Sequence, residues 1–268
     1  MLCDCHLHTE FSADSDAPVE DVIRQGITLG MSHMCITDHH DIDYDDLEEH
    51  LDFLLNPSEY YQTLSGYRER YREQIHLLIG VEMGLQPHLK TEVNRFIEAI
   101  PLDFVIGSSH VIDGIDPYYH TLWEQYSDEE VMTMYFENIY QNIQIFDNFD
   151  VYGHLDYAIR YAKQKDHDYH YEKYREILDE ILKTLIRMDK GIEINTAGLR
   201  KGLCSTNPSE EIIKHYKEYG GKIITVGSDA HSPGDIGAGF ERASQILKKC
   251  GFKEYYIFEQ RKPKALPL

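Results

Sequence analysis

The chain has 268 residues, with 47 acidic against 26 basic side chains and a formal net charge of −21. That length suits one large α/β domain or two small ones and buries a substantial core. An acidic chain with no Lys/Arg-rich block is a poor match for a phosphate backbone, so no nucleic-acid partner is expected. No apolar run reaches the roughly 18 residues of a membrane span, so no membrane partner is expected either. The opening residues lack a basic stretch followed by a long apolar run, which makes a cytoplasmic location the expectation. The five cysteines are odd in number and form no C-x-x-C pair, against a disulfide framework or a thiolate zinc site.

Short apolar, partly β-branched runs recur at 2–6, 33–36, 77–82, 104–107, 151–154, 191–195 and 222–226. They read as buried parallel strands. A further run at 255–258 reads as an extra strand. Helical patterns lie between them. "DAPVEDVIRQGITLG" has Pro18 near its start and Gly30 at its end. "SDEEVMTMYFENIYQNIQIF" opens on a capping box, Ser127 with Glu130. "YHYEKYREILDEILKTLIRM" is amphipathic, and "NPSEEIIKHYKEYGG" ends on Gly220 and Gly221. Seven βα units without a long linker predict one α/β barrel or a doubly wound sheet. The Tyr-rich segment 43–73 is the one long insertion, expected to be helical and near the site.

The strands end on polar residues. The first delivers His6 and His8, the second Asp38 and His39, the third Glu82, the fourth His110, the fifth His154, and the seventh Asp229 and His231. One histidine after a strand is ordinary. Six of seven strand ends supplying His, Asp or Glu is not, because that end of an α/β barrel is where sites assemble. Alternation along the first strand puts Asp4, His6 and His8 on one face. Cys3, Cys5 and Leu7 take the other, where the cysteines serve as small apolar residues. A donor set of imidazole and carboxylate without thiolate suits Zn, Mn or Fe. Nine candidates exceed one ion's needs, so two or three divalent ions are expected, with Glu82 as a natural bridge. Such clusters make hydroxide from bound water near neutral pH.

The stretches "DCHLHTEFSAD", "ITDHH", "GVEMG", "GSSHVID", "GHLD" and "GSDAH" resemble, in order, the motifs of the polymerase and histidinol phosphatase (PHP) family. The resemblance implies a single domain over 1–268, an amidohydrolase-like distorted (β/α)7 barrel with a trinuclear metal site. Carried over by motif, one ion uses His6, His8, Glu82 and Asp229. A second uses Glu82, His110 and His154. A third uses His39, His231 and Asp14. Many members carry histidine where this chain has Asp14, a harder ligand that tilts the third site toward Mn or Fe. "GSSHVIDGIDPYYH" and "EINTAGLRKG" are similar to the stand-alone histidinol-phosphate phosphatase branch.

That branch implies hydrolysis of a phosphate monoester, L-histidinol phosphate to L-histidinol and phosphate, by a metal-bridging hydroxide held at Glu82. Arg160 and Arg200 are the candidate phosphate ligands, since a guanidinium fork suits phosphate. Asp229 or His231 is expected to protonate the leaving alkoxide. Asp4 and Asp38 are read as orienting histidine rings, and His40 as either a substrate contact or a solvated residue. The substrate is small, phosphorylated and cationic. Asp113, Asp116, Asp156 and Glu193 are unranked acceptors for its amine and imidazole. The remaining histidines, His33 and His76 among them, are read as structural or surface residues. A PHP-type nuclease or nucleotide phosphatase is the alternative. A non-catalytic barrel is disfavoured because every ligand position is filled. Metal identity and oligomeric state do not follow from the sequence.

Overall fold

The computed structural model describes residues 3–44 and 51–268. Seven strands follow one another round a parallel sheet. They are β1 (Cys3–Asp4), β2 (His33–Ile36), β4 (His76–Gly84), β5 (Phe104–Ser108), β6 (Val151–Tyr152), β7 (Gly191–Asn195) and β8 (Ile224–Gly227), in that spatial order. The short β3 (His39–His40) also pairs with β4, continuing the line of β2 after a break at Thr37 and Asp38. The sheet closes between its ends. Cys5 N donates to Val226 O at 2.9 Å, Asp229 N to His6 O at 2.8 Å, and His8 N to Ala230 O at 2.9 Å. The expected distorted (β/α)7 barrel is therefore the fold, as a single domain. Residues 77–84 of β4 are all buried, as befits a strand covered on both faces.

Helices coat the barrel. They are α1 (Val19–Thr28), α2 (Pro57–Tyr71), α3 (Lys90–Ala99), α4 (His120–Gln125), α5 (Asp128–Ile145), α6 (Arg175–Arg187), α7 (Ala197–Arg200), α8 (Glu210–Glu218) and α9 (Phe240–Lys249). In α1 the buried positions Val19, Val22 and Ile23 share one face, each stabilising the packing by about 2 kcal/mol relative to exposure. The capping box of α5 is present, with Ser127 and Glu130 satisfying each other's backbone N–H.

The 43–73 segment divides. Residues 45–50 lie outside those described. Helix α2 is capped by Asn56 and buries Tyr60, Leu64 and Tyr71, and Tyr60 Oη donates to Gly80 O at 3.0 Å. It belongs to the barrel's outer layer, because its apolar residues face β4. Among the segment's described residues only Tyr44 and Phe53, ahead of α2, reach the mouth.

The run at 255–258 lies within β9 (Glu254–Glu259), which pairs antiparallel with β10 (Lys262–Pro267) rather than joining the barrel. This hairpin covers the N-terminal end of the barrel, where Phe258 stacks on Phe104 with centroids 5.1 Å apart. Among the described residues no helix is long and apolar enough to cross a membrane.

Candidate metal centre and active site

Residues from six of the seven strand ends meet in the barrel's C-terminal mouth. Glu82, near the end of β4, is the hub. Its Oε1 lies 2.8 Å from His154 Nε2 and 3.1 Å from His110 Nε2. Its Oε2 lies 3.0 Å from His39 Nδ1, 3.1 Å from His6 Nε2 and 3.5 Å from His8 Nε2. Asp229 Oδ1 sits 3.4 Å from His8 Nε2 and 3.8 Å from His6 Nε2. Asp14 Oδ2 is 3.1 Å from His231 Nε2 and 3.7 Å from His39 Nε2. The rings of His39, His8 and His231 stack in sequence, with centroids 4.2 and 4.1 Å apart. All nine residues expected as ligands are thus gathered in one cluster.

Several of these atoms are close without being bonded. His6 Nε2, His8 Nε2, His39 Nδ1 and Glu82 Oε2 are buried and have no hydrogen-bond partner. A buried polar atom left so costs about 1–3 kcal/mol. Here several are aimed at common points, which is the arrangement of ligands round a cation. The electrostatics agree. Burial alone would raise the Glu82 carboxyl, but His6, His110 and His39 outweigh it and hold it well below the ordinary carboxylate range. Asp229 is likewise held ionised against burial by His6, His8 and Arg160. Burial would lower His110, yet Asp41 and Glu82 push it up to about 10. His8 is driven well down by burial and by His231 and His39. The carboxylates therefore call for positive charge that protonated rings supply only in part. The donor set, imidazole and carboxylate with no thiolate, fits divalent Zn, Mn or Fe.

The ligands' other atoms are held by residues that the sequence reading assigned otherwise or passed over. His6 Nδ1 lies 2.6 Å from Glu193 Oε1, and His110 Nδ1 lies 2.6 Å from Asp41 Oδ1. His8 Nδ1 is 3.0 Å from Ser12 Oγ, and Ser108 Oγ donates to Glu82 Oε1 at 2.7 Å. Such partners set ring orientation and ligand basicity. Asp4 and Asp38 do not touch ring nitrogens. Asp4 accepts from the backbone N–H of Ser228, Gly237 and His6, and Asp38 from Thr9 and Ser12. They pin the loops that carry the ligands. Two glycines make room for the supporting carboxylates. A Cβ on Gly84 would lie 2.0 Å from Asp41 Oδ1, and one on Gly227 would lie 2.3 Å from Glu193 Oε1. His40 is neither a solvated residue nor part of the cavity wall. It is buried, stacks on Phe96 with centroids 3.9 Å apart, and accepts from Leu55 N at 2.9 Å.

The cluster forms the floor of a cavity of about 270 Å³. Arg160 lines it, and its fork is fixed on three sides. Nε donates to Asn207 Oδ1 at 2.8 Å, Nη2 to Asn195 Oδ1 at 3.0 Å and Nη1 to Asp229 Oδ2 at 3.1 Å. Tyr157 lies under the guanidinium, 5.1 Å from its carbon. Asp229 itself has φ 54°, the left-handed region that Asp tolerates better than most residues. That turn lets one carboxylate face both Arg160 and the histidines. Arg200 does not line the cavity. Its Nη2 donates to Ser228 O and Asp229 O, while its neighbour Lys201 reaches the wall.

Of the four acidic acceptors, Asp116 lines the cavity, buried against Tyr44 Oη at 2.6 Å. Burial raises its carboxyl. Glu193 lies beneath His6, and Asp156 is occupied by Asn207, Ser209 and Tyr169. Asp113 is exposed in a turn with φ 49°.

Comparison with known proteins points the same way. The chain is 35% identical over 260 residues to a histidinol-phosphatase of Lactococcus lactis subsp. lactis (strain IL1403), covering 97% of this chain and 95% of that one. It is 33% identical over 261 residues to a probable histidinol-phosphatase of Clostridium acetobutylicum, covering 97% and 98%. A solved structure of the Lactococcus lactis histidinol phosphate phosphatase, complexed with Zn, L-histidinol and phosphate, matches with a TM-score of 0.88 at 32% identity over 98% of both chains. Residues 4–197, from the first histidine pair to the start of α7, match the PHP domain, and the chain belongs to that family.

Proposed function

We propose that this protein is a metal-dependent phosphomonoesterase that hydrolyses L-histidinol phosphate to L-histidinol and phosphate, a step of histidine biosynthesis. The observation that carries this reading is the match, end to end, to a histidinol phosphate phosphatase complexed with Zn, L-histidinol and phosphate.

His6, His8, Glu82 and Asp229 would hold one ion, Glu82, His110 and His154 a second, and His39, His231 and Asp14 a third. Bound there, the ions supply Lewis-acid charge and a water acidic enough to act as nucleophile near neutral pH. The chain's own residues do the rest. Arg160, its fork already oriented, offers charge to a phosphoryl oxygen without reorganising. Lys201, on the same wall, adds a second cation. Arg200 acts on phosphate indirectly, by holding the Ser228 and Asp229 carbonyls in the turn that aims Asp229.

The leaving alkoxide takes a proton, directly or through water. Asp229 is held ionised and has none to give. His231, part-exposed at the mouth and itself placed to hold the third ion, would relay that proton from solvent water. Asp116, with Tyr44 and Tyr157 beside it, is the acceptor for the cationic end of the substrate.

Phosphate release from the two monoesters, with chromatography of the dinucleotide's cleavage products, tests the reading. Protein stripped with chelator and reloaded with Mn or Zn is given L-histidinol phosphate, a nucleoside monophosphate or a dinucleotide. Metal-dependent turnover of the first, well above the others, is expected. Faster turnover of either nucleotide would overturn it in favour of a nucleotide phosphatase or nuclease.

A further inference from the structure

A second group of metal-type donors lies at the other end of the barrel. His33 opens β2 and His76 opens β4, and the two are directly paired in the parallel ladder. Their side chains stand together, with ring centroids 4.9 Å apart and planes tilted by 30°. Glu259, the last residue of β9, brings its Oε1 to 3.9 Å from His76 Nε2. One ligand atom from each of the three lies within 4.8 Å of the others. His33 Nδ1 is 3.0 Å from Ser32 Oγ, which makes Nε2 the nitrogen to offer an ion.

From these positions we infer a peripheral zinc site formed by His33, His76 and Glu259, separate from the catalytic cluster. Two imidazoles and a carboxylate, with water completing the coordination, form a donor set that zinc accepts. Ligand atoms of a tetrahedral zinc lie about 3.4 Å apart, given Zn–N and Zn–O bonds of about 2.1 Å. The separations here need only small side-chain rotations to reach that. At 3.9 Å the His76–Glu259 approach is too long for a hydrogen bond. Nothing in that approach has to be broken. Glu259 Oε2 is paired with Lys264, so the carboxylate offers its other oxygen.

The site is remote from the mouth. His76 and Glu82 are six residues apart on one strand, about 20 Å along it. An ion at this end ties two barrel strands to the β9–β10 hairpin and touches no group used in catalysis. Its expected effect is on stability, by preferential binding to the folded chain.

The test uses the enzyme with its catalytic metals in place. Wild type and His76→Ala are dialysed against zinc, and bound metal per chain, activity and melting temperature are measured. Wild type should hold one more zinc than His76→Ala at equal activity, and added zinc should raise the melting temperature of wild type only. Glu259→Gln should lose the same ion. Equal zinc content in wild type and an active His76→Ala would overturn the site. If His76→Ala fails to fold, His76→Gln makes the same comparison.

Discussion

Both ends of this barrel bury carboxylates, and they use them in opposite ways. At the N-terminal end Asp103 accepts from Ile79 N, Gln260 N and the Arg68 guanidinium, and Asp150 accepts from Val105 N and Arg261 Nε. Every one of those partners is protein. They fasten the hairpin turn, whose Gln260 and Arg261 both sit in the left-handed region at φ 51° and 63°. At the C-terminal end Glu82 and Asp229 face histidine nitrogens that lack bonds of their own. The same residue type is thus structural where the chain completes its hydrogen bonds and chemical where it leaves them open.

The contrast predicts different failures. Glu82→Gln keeps the shape and removes the charge. Bound metal and kcat should both collapse, the latter by roughly a thousandfold or more, which is about 4 kcal/mol of barrier. Elemental analysis with steady-state kinetics checks this, and full metal content with near-normal kcat would show that the hub is not Glu82. Arg160→Ala should lower kcat/KM by about a hundredfold or more with metal content retained, and Arg160→Lys should recover little, because a point charge cannot replace the fork. A kcat/KM within a few-fold of wild type would remove Arg160 from the phosphate site.

At the far end Arg261→Ala should leave kcat unchanged. Its guanidinium is part-exposed, so the loss lies between surface and buried pairs, about 2 kcal/mol, or roughly 4–8 °C in melting temperature. Reduced kcat in this variant would mean that the two ends are coupled. His40 gives a similarly sized, pH-dependent effect. Burial pushes its pKa down to about 4 from an ordinary value near 6.5. Between those values the unfolded chain binds the extra proton, so stability falls as pH falls through the window. Relative to His40→Asn, the wild type should lose about 2 kcal/mol between pH 6.5 and pH 5. Parallel stability curves for the two proteins would show that His40 is not held neutral.

The strand pattern and the ligands could be read from the sequence because both obey short-range rules. Buried parallel strands are apolar runs, and their polar ends stand out. The supporting layer was harder to find. Glu193 sits inside "GIEIN", where a carboxylate looks like an ordinary strand residue; its partner His6 is 187 positions away. The signal available was Gly227, a strand glycine that makes room for it. Arg200 and Lys201 are adjacent, and only the path of the turn after β7 decides which one reaches the cavity. Strand β10, "KPKALP", is exposed and carries two prolines, which its place at an edge tolerates.

The seam that closes the barrel has one further consequence. It joins His6 to Asp229 through backbone hydrogen bonds, so the first proposed ion draws ligands from both sides of that join. During synthesis His6 and His8 emerge long before Asp229. Until β8 has been made and docked, the ribosome-bound chain holds three of that ion's four proposed ligands. A chain stopped before residue 227 would keep most of the barrel strands and still lack the carboxylate that completes this site. Complete coordination of that first proposed ion would thus wait for the last step of closing the sheet.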